Sequence, residues 1–343
     1  MDYIITVISP CYNSEKTLER CIDSIISQSI GFENIELILY DDASKDNTRE
    51  IINSYFEKYD NIVSIFSDIN QGPGVGKDSA IEKASGKYIM FIDSDDEYDE
   101  KMCETLLNEI NDEIDIVSCN YKVLDGIYSS TVYSKYKDDY KSKSKSLLIH
   151  DDLIYLPSAI VVNRMFKRDI IIKNNIKFTS IRNGEDELFL RQYLLYSKNF
   201  IHLNNYVGYI IHKQDDSISK SQTIEDLFSY LLVCRKIKEI YDPFEIDMPR
   251  LLQGRINLFI QSLYLYDILD NYDKKQLYDV LDKLSNLEKE ISFNKKLGLM
   301  NDISNFFIKH KQFGLVVFYS KALYAVRKSR LVLKAYRLLT QKN

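Results

Sequence analysis

The sequence predicts an α/β fold. A mostly parallel sheet with helices on both faces is expected over residues 1–220, followed by an α-helical C-terminal domain over 221–343. Three observations predict this. Short apolar runs rich in Ile, Val, Tyr and Phe alternate with amphipathic stretches through the first 120 residues, which is the pattern of strand–helix–strand units. Polar and acidic residues directly follow four of those runs, as expected where parallel strands end in a ligand-binding rim. From about residue 222 the apolar period is almost wholly helical. A chain of 343 residues is long for one core and suits two domains.

In chain order, the runs are Tyr3–Ile8, Ile35–Tyr40, Ile62–Phe66, Tyr88–Ile92 and Ile114–Cys119. Their β-branched and aromatic content is that of buried strands. Between them, Ser14–Gln28 sets Leu18, Cys21, Ile22, Ile25 and Ile26 on one helical face. Further helices are expected over 46–56, 75–84 and 100–108. The stretch "SKYKDDYKSKSKS" in 121–150 is polar and repetitive and reads as a solvated surface loop. Apolar content returns at Leu153–Phe166 and Leu188–Leu195. Leu227–Ile240, Leu251–Leu269 and Lys275–Leu287 carry helical periods, so the domain boundary is placed near Lys220.

Composition narrows the class. Hydrophobic content of 45% and charged content of 28% are those of a globular protein. A net charge of -6 argues against a nucleic-acid-binding body. The five cysteines are widely spaced and form no CxxC pair, so neither a disulfide framework nor a zinc site is expected, which favours a reducing compartment. The chain starts on strand-like residues without a basic leader, and no apolar run is long enough to span a bilayer. A cytoplasmic protein is expected.

Two stretches carry the chemistry. Gly72-Pro73-Gly74-Val75-Gly76-Lys77 resembles a phosphate-cradling loop, but three residues rather than four separate Gly72 from Gly76, and Asp78 follows the lysine. The glycines therefore read as a tight turn into a helix, with Lys77 on its first turn able to reach an anion. Asp93, Asp95 and Asp96 end an apolar strand, and alternation would set Asp93 and Asp95 on one side. Clustered carboxylates repel unless a cation lies between them, and Mg2+ or Mn2+ suits oxygen ligands that also meet phosphates. A helix cap by Asp99 or its neighbours is the alternative reading of this cluster. Glu185-Asp186 open another helical period after Gly184, where acids are ordinarily structural, and His212 follows a strand-like run.

The ordered set "VISPCYNSEKTLERCIDSIISQS", "IELILYDDASKDNT", "NQGPGVGKDSAIEKASGKYIMFIDSDD", "NGEDELFLRQYL" and "YIIHKQDDSIS" resembles the family 2 glycosyltransferases, enzymes of the GT-A nucleotide-sugar-binding fold, across roughly residues 3–219. The resemblance implies a nucleotide half over about 1–120 and an acceptor half over about 121–220. It implies that Pro10 and Tyr12 shape the nucleobase slot and that Asp42 accepts the uracil imide hydrogen. Asn70, Lys77, Asp93 and Ser94 would line the nucleotide. Asp95 would bind Mn2+ or Mg2+, with Asp96 and His212 assisting. Asp186 would be the catalytic base, with Glu185 beside it. Where the family usually has Ala-Arg-Asn, this chain has Gly76-Lys77-Asp78, so Arg's planar fork is lost.

The activity so implied is inverting transfer of a hexose or N-acetylhexosamine from a UDP-sugar to a hydroxyl of a glycan, glycoprotein or lipid-linked acceptor, in cell-surface polysaccharide synthesis or protein glycosylation. Two rivals are a non-catalytic nucleotide-sugar-binding scaffold and a sugar-nucleotide pyrophosphorylase. The latter normally opens with a glycine- and arginine-rich signature absent here. Phe313–Asn343 is basic and free of acids, and places Arg327, Arg330, Lys334 and Arg337 in one helical stripe. It suits packing in a homo-oligomer, the preferred reading, or peripheral contact with the inner face of the membrane.

Overall fold

The structure, a computed structural model, describes residues 3–125, 128–132, 138–144, 160–179, 181, 184–213, 223–244, 273–291 and 299–328. The expected helix over Leu251–Leu269 and the basic stripe of the C-terminal tail lie outside the described residues or their side chains. The chain divides into two compact units, Met1–Ser217 and Ile218–Asn343.

In the first unit, β1 (Ile5–Cys11), β2 (Ile35–Asp41), β3 (Ile62–Phe66) and β4 (Tyr88–Phe91) alternate with α1 (Leu18–Ile26), α2 (Thr48–Lys58) and α3 (Pro73–Lys83). The later strands are β5 (Glu97–Tyr98), β6 (Ile116–Asp125), β7 (Tyr128–Val132), β8 (Tyr140–Lys143), β9 (Arg164–Lys167) and β10 (Asn199–His212). Helices α4 (Met102–Glu109), α5 (Arg168–Lys173) and α6 (Glu185–Tyr196) complete the unit. Among the described residues, the ten strands form one sheet in the order β3-β2-β1-β4-β9-β6-β10-β5, with β7 on β6 and β8 on β10.

The first four strands are parallel, with Ile8 beside Ile38 and Phe91. Ile5, Val7, Ile8, Leu37, Ile38 and Leu39 are all buried, as required of strands covered on both faces. Burying each such side chain fully contributes about 1.5–3 kcal/mol. In α1 the buried set is Leu18, Cys21, Ile22, Ser24 and Ile25, so Ser24 rather than Ile26 completes the stripe. Ser24 manages this by donating to the Cys21 carbonyl and accepting from the Tyr98 backbone NH.

Two local expectations change. Beyond β4 the sheet becomes mixed. β9 lies antiparallel between β4 and β6, so the fifth apolar run does not pair with the fourth. The polar stretch after residue 121 is also not simply a solvated loop. Tyr140–Lys143 forms β8 against Asn199–His202, and β6 runs on to pair with β7. In β8 Tyr140 and Ser142 are half-buried while Lys141 and Lys143 are exposed, an alternation that a lysine-rich composition hides.

An aromatic cluster anchors the helix that matters most for the site. Phe178 stacks on Phe189 of α6 at 4.1 Å, and Phe189 meets Phe91 and Phe166 edge-on. Tyr193 packs on Phe166 at 4.9 Å. Thus α6 is fixed to β4, β9 and the 176–179 segment by interlocked rings, each edge-to-face pair adding about 0.5–1.5 kcal/mol beyond its buried area.

The second unit contains α7 (Ile224–Tyr241), α8 (Lys274–Ile291), α9 (Leu299–Lys309) and α10 (Phe313–Lys328). Helix α8 packs on α7 and α9, and α9 on α10, around Val233, Ile237, Leu281, Leu284, Ile308 and Val316. Phe306 and Phe318 remain exposed at 59% and 72%.

Candidate active site

The strand ends converge as parallel pairing dictates. Cys11 is level with Asp41, Asp41 with Phe66, and Ile8 with Phe91, so the turns after β1, β2, β3 and β4 share one edge of the sheet. Each of the first three turns, and the one that opens α6, contains a residue of positive φ: Asn13 (51°), Ala43 (63°), Gly72 (87°) and Gly184 (108°). For Ala43 this conformation costs roughly 1–2 kcal/mol. Side chains cross-lace the first two turns. Asn13 NH donates to Ser44 Oγ at 2.9 Å, Lys45 NH to Asn13 Oδ1 at 2.8 Å, and Ser14 NH to Thr48 Oγ1 at 2.7 Å. Asp46 accepts from the Thr48 NH at 3.1 Å, which satisfies a free NH at the start of α2.

Pro10 and Tyr12 sit on this rim, with Tyr12 half exposed and its ring available for stacking. Asp42 is buried, and its two oxygens accept from the backbone NH groups of Gln71 (2.8 Å) and Gly72 (2.7 Å). A carboxylate has about four acceptor positions, so it can hold the glycine turn and still accept another hydrogen. Asn70 is exposed beside that turn.

The glycines themselves serve close packing. A Cβ on Gly76 would lie 2.6 Å from the Tyr40 ring, and one on Gly74 would lie 2.7 Å from the Thr179 carbonyl oxygen. Asp78 accepts from the Phe178 NH at 2.9 Å. Helix α3 is thereby pressed between β2 and the segment leading to α6. Lys77 is 3% exposed, and its Nζ donates to Asp186 Oδ1 at 2.7 Å. The ammonium also lies 5.0 Å from the centre of the Phe178 ring. The sequence leaves Lys77 reaching outward for an anion; in the structure its charge is turned onto α6.

Asp93–Asp96 form a turn rather than the end of a strand. β4 stops at Phe91, and Asp96 NH donates to the Asp93 carbonyl at 3.0 Å. The expected strand alternation of Asp93 and Asp95 therefore does not apply. Ser94 Oγ is 2.7 Å from Ser14 Oγ, which ties the turn to the rim of β1. Asp96 is buried with both oxygens engaged: Oδ2 by Tyr209 OH at 2.7 Å and Oδ1 by His212 NH at 2.9 Å. Asp95 is half-buried, and burial pushes its carboxyl above the usual range, with Arg20 and His212 opposing. His212 Nε2 lies 2.5 Å from Glu97 Oε1, and Arg20 Nε lies 3.0 Å from the same oxygen as an ion pair.

The electrostatics match a crowded anionic site. Burial, and then the charges of Asp93 and Asp95, push the Asp96 carboxyl up to about 8, against the bonds from Tyr209 and His212. Burial pushes Asp93 up to about 6, with Lys77 opposing and Asp186 and Asp95 adding. Burial and the neighbouring Asp186 push Glu185 up to about 7, again with Lys77 opposing. Asp93, from the turn after β4, and Glu185 and Asp186, from the start of α6, thus share the field of one ammonium.

Among the described residues, no three His, Cys, Asp or Glu side chains form a metal cage. Mg2+ and Mn2+ do not demand one, because they are commonly held by one or two carboxylates plus substrate phosphates. Asp95 fits that donor set. Asp96 accepts one protein hydrogen at each oxygen, which holds the turn and leaves an acceptor position on each for a further partner.

Three participants escape a reading of the sequence. Tyr209 lies in an apolar run and looks like core, yet it bonds Asp96 and accepts from the Asp93 NH at 3.2 Å. Arg20 looks like a solvated helix residue, yet it donates to the Asp95 carbonyl at 2.6 Å. Val161 NH donates to Asp186 Oδ2 at 3.3 Å. No local signal marks any of the three.

Comparison with known proteins agrees with this geometry. Residues 6–174 match the family model for Glycosyl transferase family 2. A poly(ribitol-phosphate) beta-glucosyltransferase of Bacillus spizizenii is 32% identical over 62% of the chain and 32% of its own length. A poly(ribitol-phosphate) beta-N-acetylglucosaminyltransferase of Staphylococcus aureus is 29% identical over 60% of the chain and 62% of its own length. The match thus spans less than two thirds of either relative. Among solved structures, S. aureus TarS 1-349 in complex with UDP-GlcNAc superimposes with a TM-score of 0.66 at 17% identity, covering 95% of this chain and 91% of that one. Through residues 6–174 the chain belongs to glycosyltransferase family 2, and its fold is of the GT-A type.

Proposed function

We propose that the protein is an inverting glycosyltransferase that moves a hexose or N-acetylhexosamine from a UDP-sugar to a hydroxyl of a cell-surface polymer. The observation that carries this reading is the meeting of Asp93, in the turn after β4 that also carries Asp95, with Glu185 and Asp186, at the start of α6, beside the strand ends. Relatives that glycosylate poly(ribitol phosphate), and a fold neighbour that holds UDP-GlcNAc, support the choice of donor and acceptor class.

In this reading Tyr12 and Pro10 flank the uracil, and Asp42 accepts its imide hydrogen. Asn70, Asp93 and Ser94 face the nucleoside and diphosphate. Asp186 takes the proton of the acceptor hydroxyl as that oxygen attacks the anomeric carbon, so the configuration inverts in one displacement. Glu185 adjoins it. Asp95 is the residue that would hold Mg2+ or Mn2+, and His212 would join only by leaving Glu97. A bound divalent cation would neutralise charge on the departing diphosphate. We assign self-association to the second unit, on the exposure of Phe306 and Phe318.

The test is a panel of UDP-glucose, UDP-galactose and UDP-N-acetylglucosamine with poly(ribitol phosphate), with and without Mn2+ or Mg2+, following UDP release and product mass. Release of UDP with acceptor elongation is expected. If no donor gives release or a thermal shift, the scaffold reading takes its place.

A further inference from the structure

We propose that Lys77 is a positioning residue for the general base and holds the Asp186 carboxylate in place instead of touching the nucleotide. The inference rests on the reading of Asp186 as the base. Three features of the structure carry it. First, the Lys77 ammonium is 3% exposed and lies 2.7 Å from Asp186 Oδ1, so it is directed at α6 and away from solvent. Second, the backbone around it cannot move freely. Gly76 touches the buried Tyr40 ring, Gly74 touches the Thr179 carbonyl, and Asp78 is bonded to the Phe178 NH, which fixes the part of α3 that carries Lys77. Third, the other Asp186 oxygen accepts from the Val161 NH. Two donors on separate elements therefore set the plane of a carboxylate whose terminal torsion is otherwise soft.

Charge gives the same answer. Burial alone would lower the Lys77 pKa; the charges of Asp186, Asp93 and Glu185 raise it overall. The lysine is thus held protonated by three carboxylates, and it screens them from one another. A diphosphate ligand at the start of α3 would instead need an exposed ammonium. The arrangement follows the logic of other activated bases, in which a third group orients the residue that takes the proton. It also gives the glycine-rich stretch a purpose: Gly74 and Gly76 let α3 approach closely enough for a lysine side chain to reach the base helix.

The test compares Lys77→Met and Lys77→Arg with the parent and with Asp186→Asn, in the full-length protein. UDP affinity is measured by calorimetry with Mn2+, and kcat and KM by UDP release in the presence of whichever donor and acceptor the panel above selects. Lys77→Met is expected to lower kcat by about 10- to 100-fold, short of a lost base, with UDP affinity within about twofold of the parent. Lys77→Arg, which keeps the charge, is expected to recover part of the loss. Adding Lys77→Met to Asp186→Asn should cost little more, because both act on one group. A fall of tenfold or more in UDP affinity would make Lys77 a nucleotide ligand and overturn the proposal, as would unchanged kcat in Lys77→Met. If Lys77→Met does not fold, Lys77→Gln, which keeps a donor toward Asp186, is read by the same criteria. If Asp186→Asn itself remains active, the base assignment fails, a result distinct from failure of Lys77 to position it.

Discussion

Replacing Asp186 with Asn keeps the shape of the side chain but removes its charge and its capacity to take a proton. Two magnitudes follow from its surroundings. The first is stability. Asp186 pairs with buried Lys77 at 2.7 Å while itself 21% exposed. An Asn oxygen can still accept from Nζ, so a charge-assisted bond becomes an ordinary one, a loss of about 1 kcal/mol. In a unit of this size that lowers Tm by about 2–4 °C. Asp186→Ala is harsher, because it leaves a buried ammonium without its nearest partner, a change that costs about 3–5 kcal/mol in general. Here Asp93 and Glu185 still attract Lys77, which brings the cost toward the lower end. The second magnitude is rate. Loss of a positioned base lowers turnover by about 10²- to 10⁴-fold, or roughly 3–5 kcal/mol of transition-state stabilisation. Melting curves and UDP-release kinetics on the same preparations separate the two effects, with donor hydrolysis followed beside transfer. The expected result for Asp186→Asn is a small drop in Tm, near-parental UDP affinity and turnover at or below one hundredth. A variant that keeps more than about a tenth of parental transfer would refute the role of Asp186 and direct attention to Glu185.

Gly76→Ala should be destabilising although alanine is the better helix former. A Cβ 2.6 Å from the ring of buried Tyr40 forces overpacking of about 1–3 kcal/mol against a propensity gain of about 1 kcal/mol. Transfer should fall at least tenfold because Lys77 moves with the helix; an unchanged Tm with full activity would contradict this. Asp78→Asn should stabilise the protein at pH 8 and not at pH 4. Burial pushes the Asp78 carboxyl up to about 6, so between about pH 4 and 6 the folded state retains a proton that the unfolded chain releases, and stability falls as pH rises through that window. The gain at pH 8 should be about 1 kcal/mol once partial solvent screening is allowed for, and denaturant melts at both pH values will detect it. Asp95→Ala should remove the metal-dependent part of UDP binding and leave the fold intact. Calorimetry that finds equal UDP–Mn2+ affinity in variant and parent would rule out Asp95 as the metal residue.

Much of the framework follows from short-range chemistry and could be read without coordinates. Apolar runs of seven residues become β1 and β2 because such side chains fill a surface buried on both faces, and a shorter run becomes the partly buried edge strand β3. Leu18, Cys21, Ile22 and Ile25 recur at helical spacing and become the buried stripe of α1 for the same local reason. Polar residues after each run lie on one edge because parallel strands bring their carboxyl ends together. The helical period after residue 222 reappears as α7 and α8. The failure of "GPGVGKD" to match a phosphate loop was equally visible, since that reading needs only spacing.

What only the tertiary structure decided are contacts between residues far apart in the chain. β9 enters between β4 and β6 by antiparallel pairing, and four residues of ordinary strand composition give no hint of which neighbours they will take. Tyr209 is indistinguishable from core until β10 places its hydroxyl on Asp96. Lys77 shows the limit most clearly. Its position on the first turns of a helix suggests an outward reach, because helix N-termini favour anions. Its actual direction depends on Tyr40, Thr179 and Phe178, which crowd α3 on both sides and leave Asp186 as the nearest partner for a buried charge. Periodicity and turn chemistry are properties of neighbouring residues and so are written locally. The partner of a buried charge is chosen by whichever segment the packed sheet brings within about 3 Å, and that depends on the whole fold.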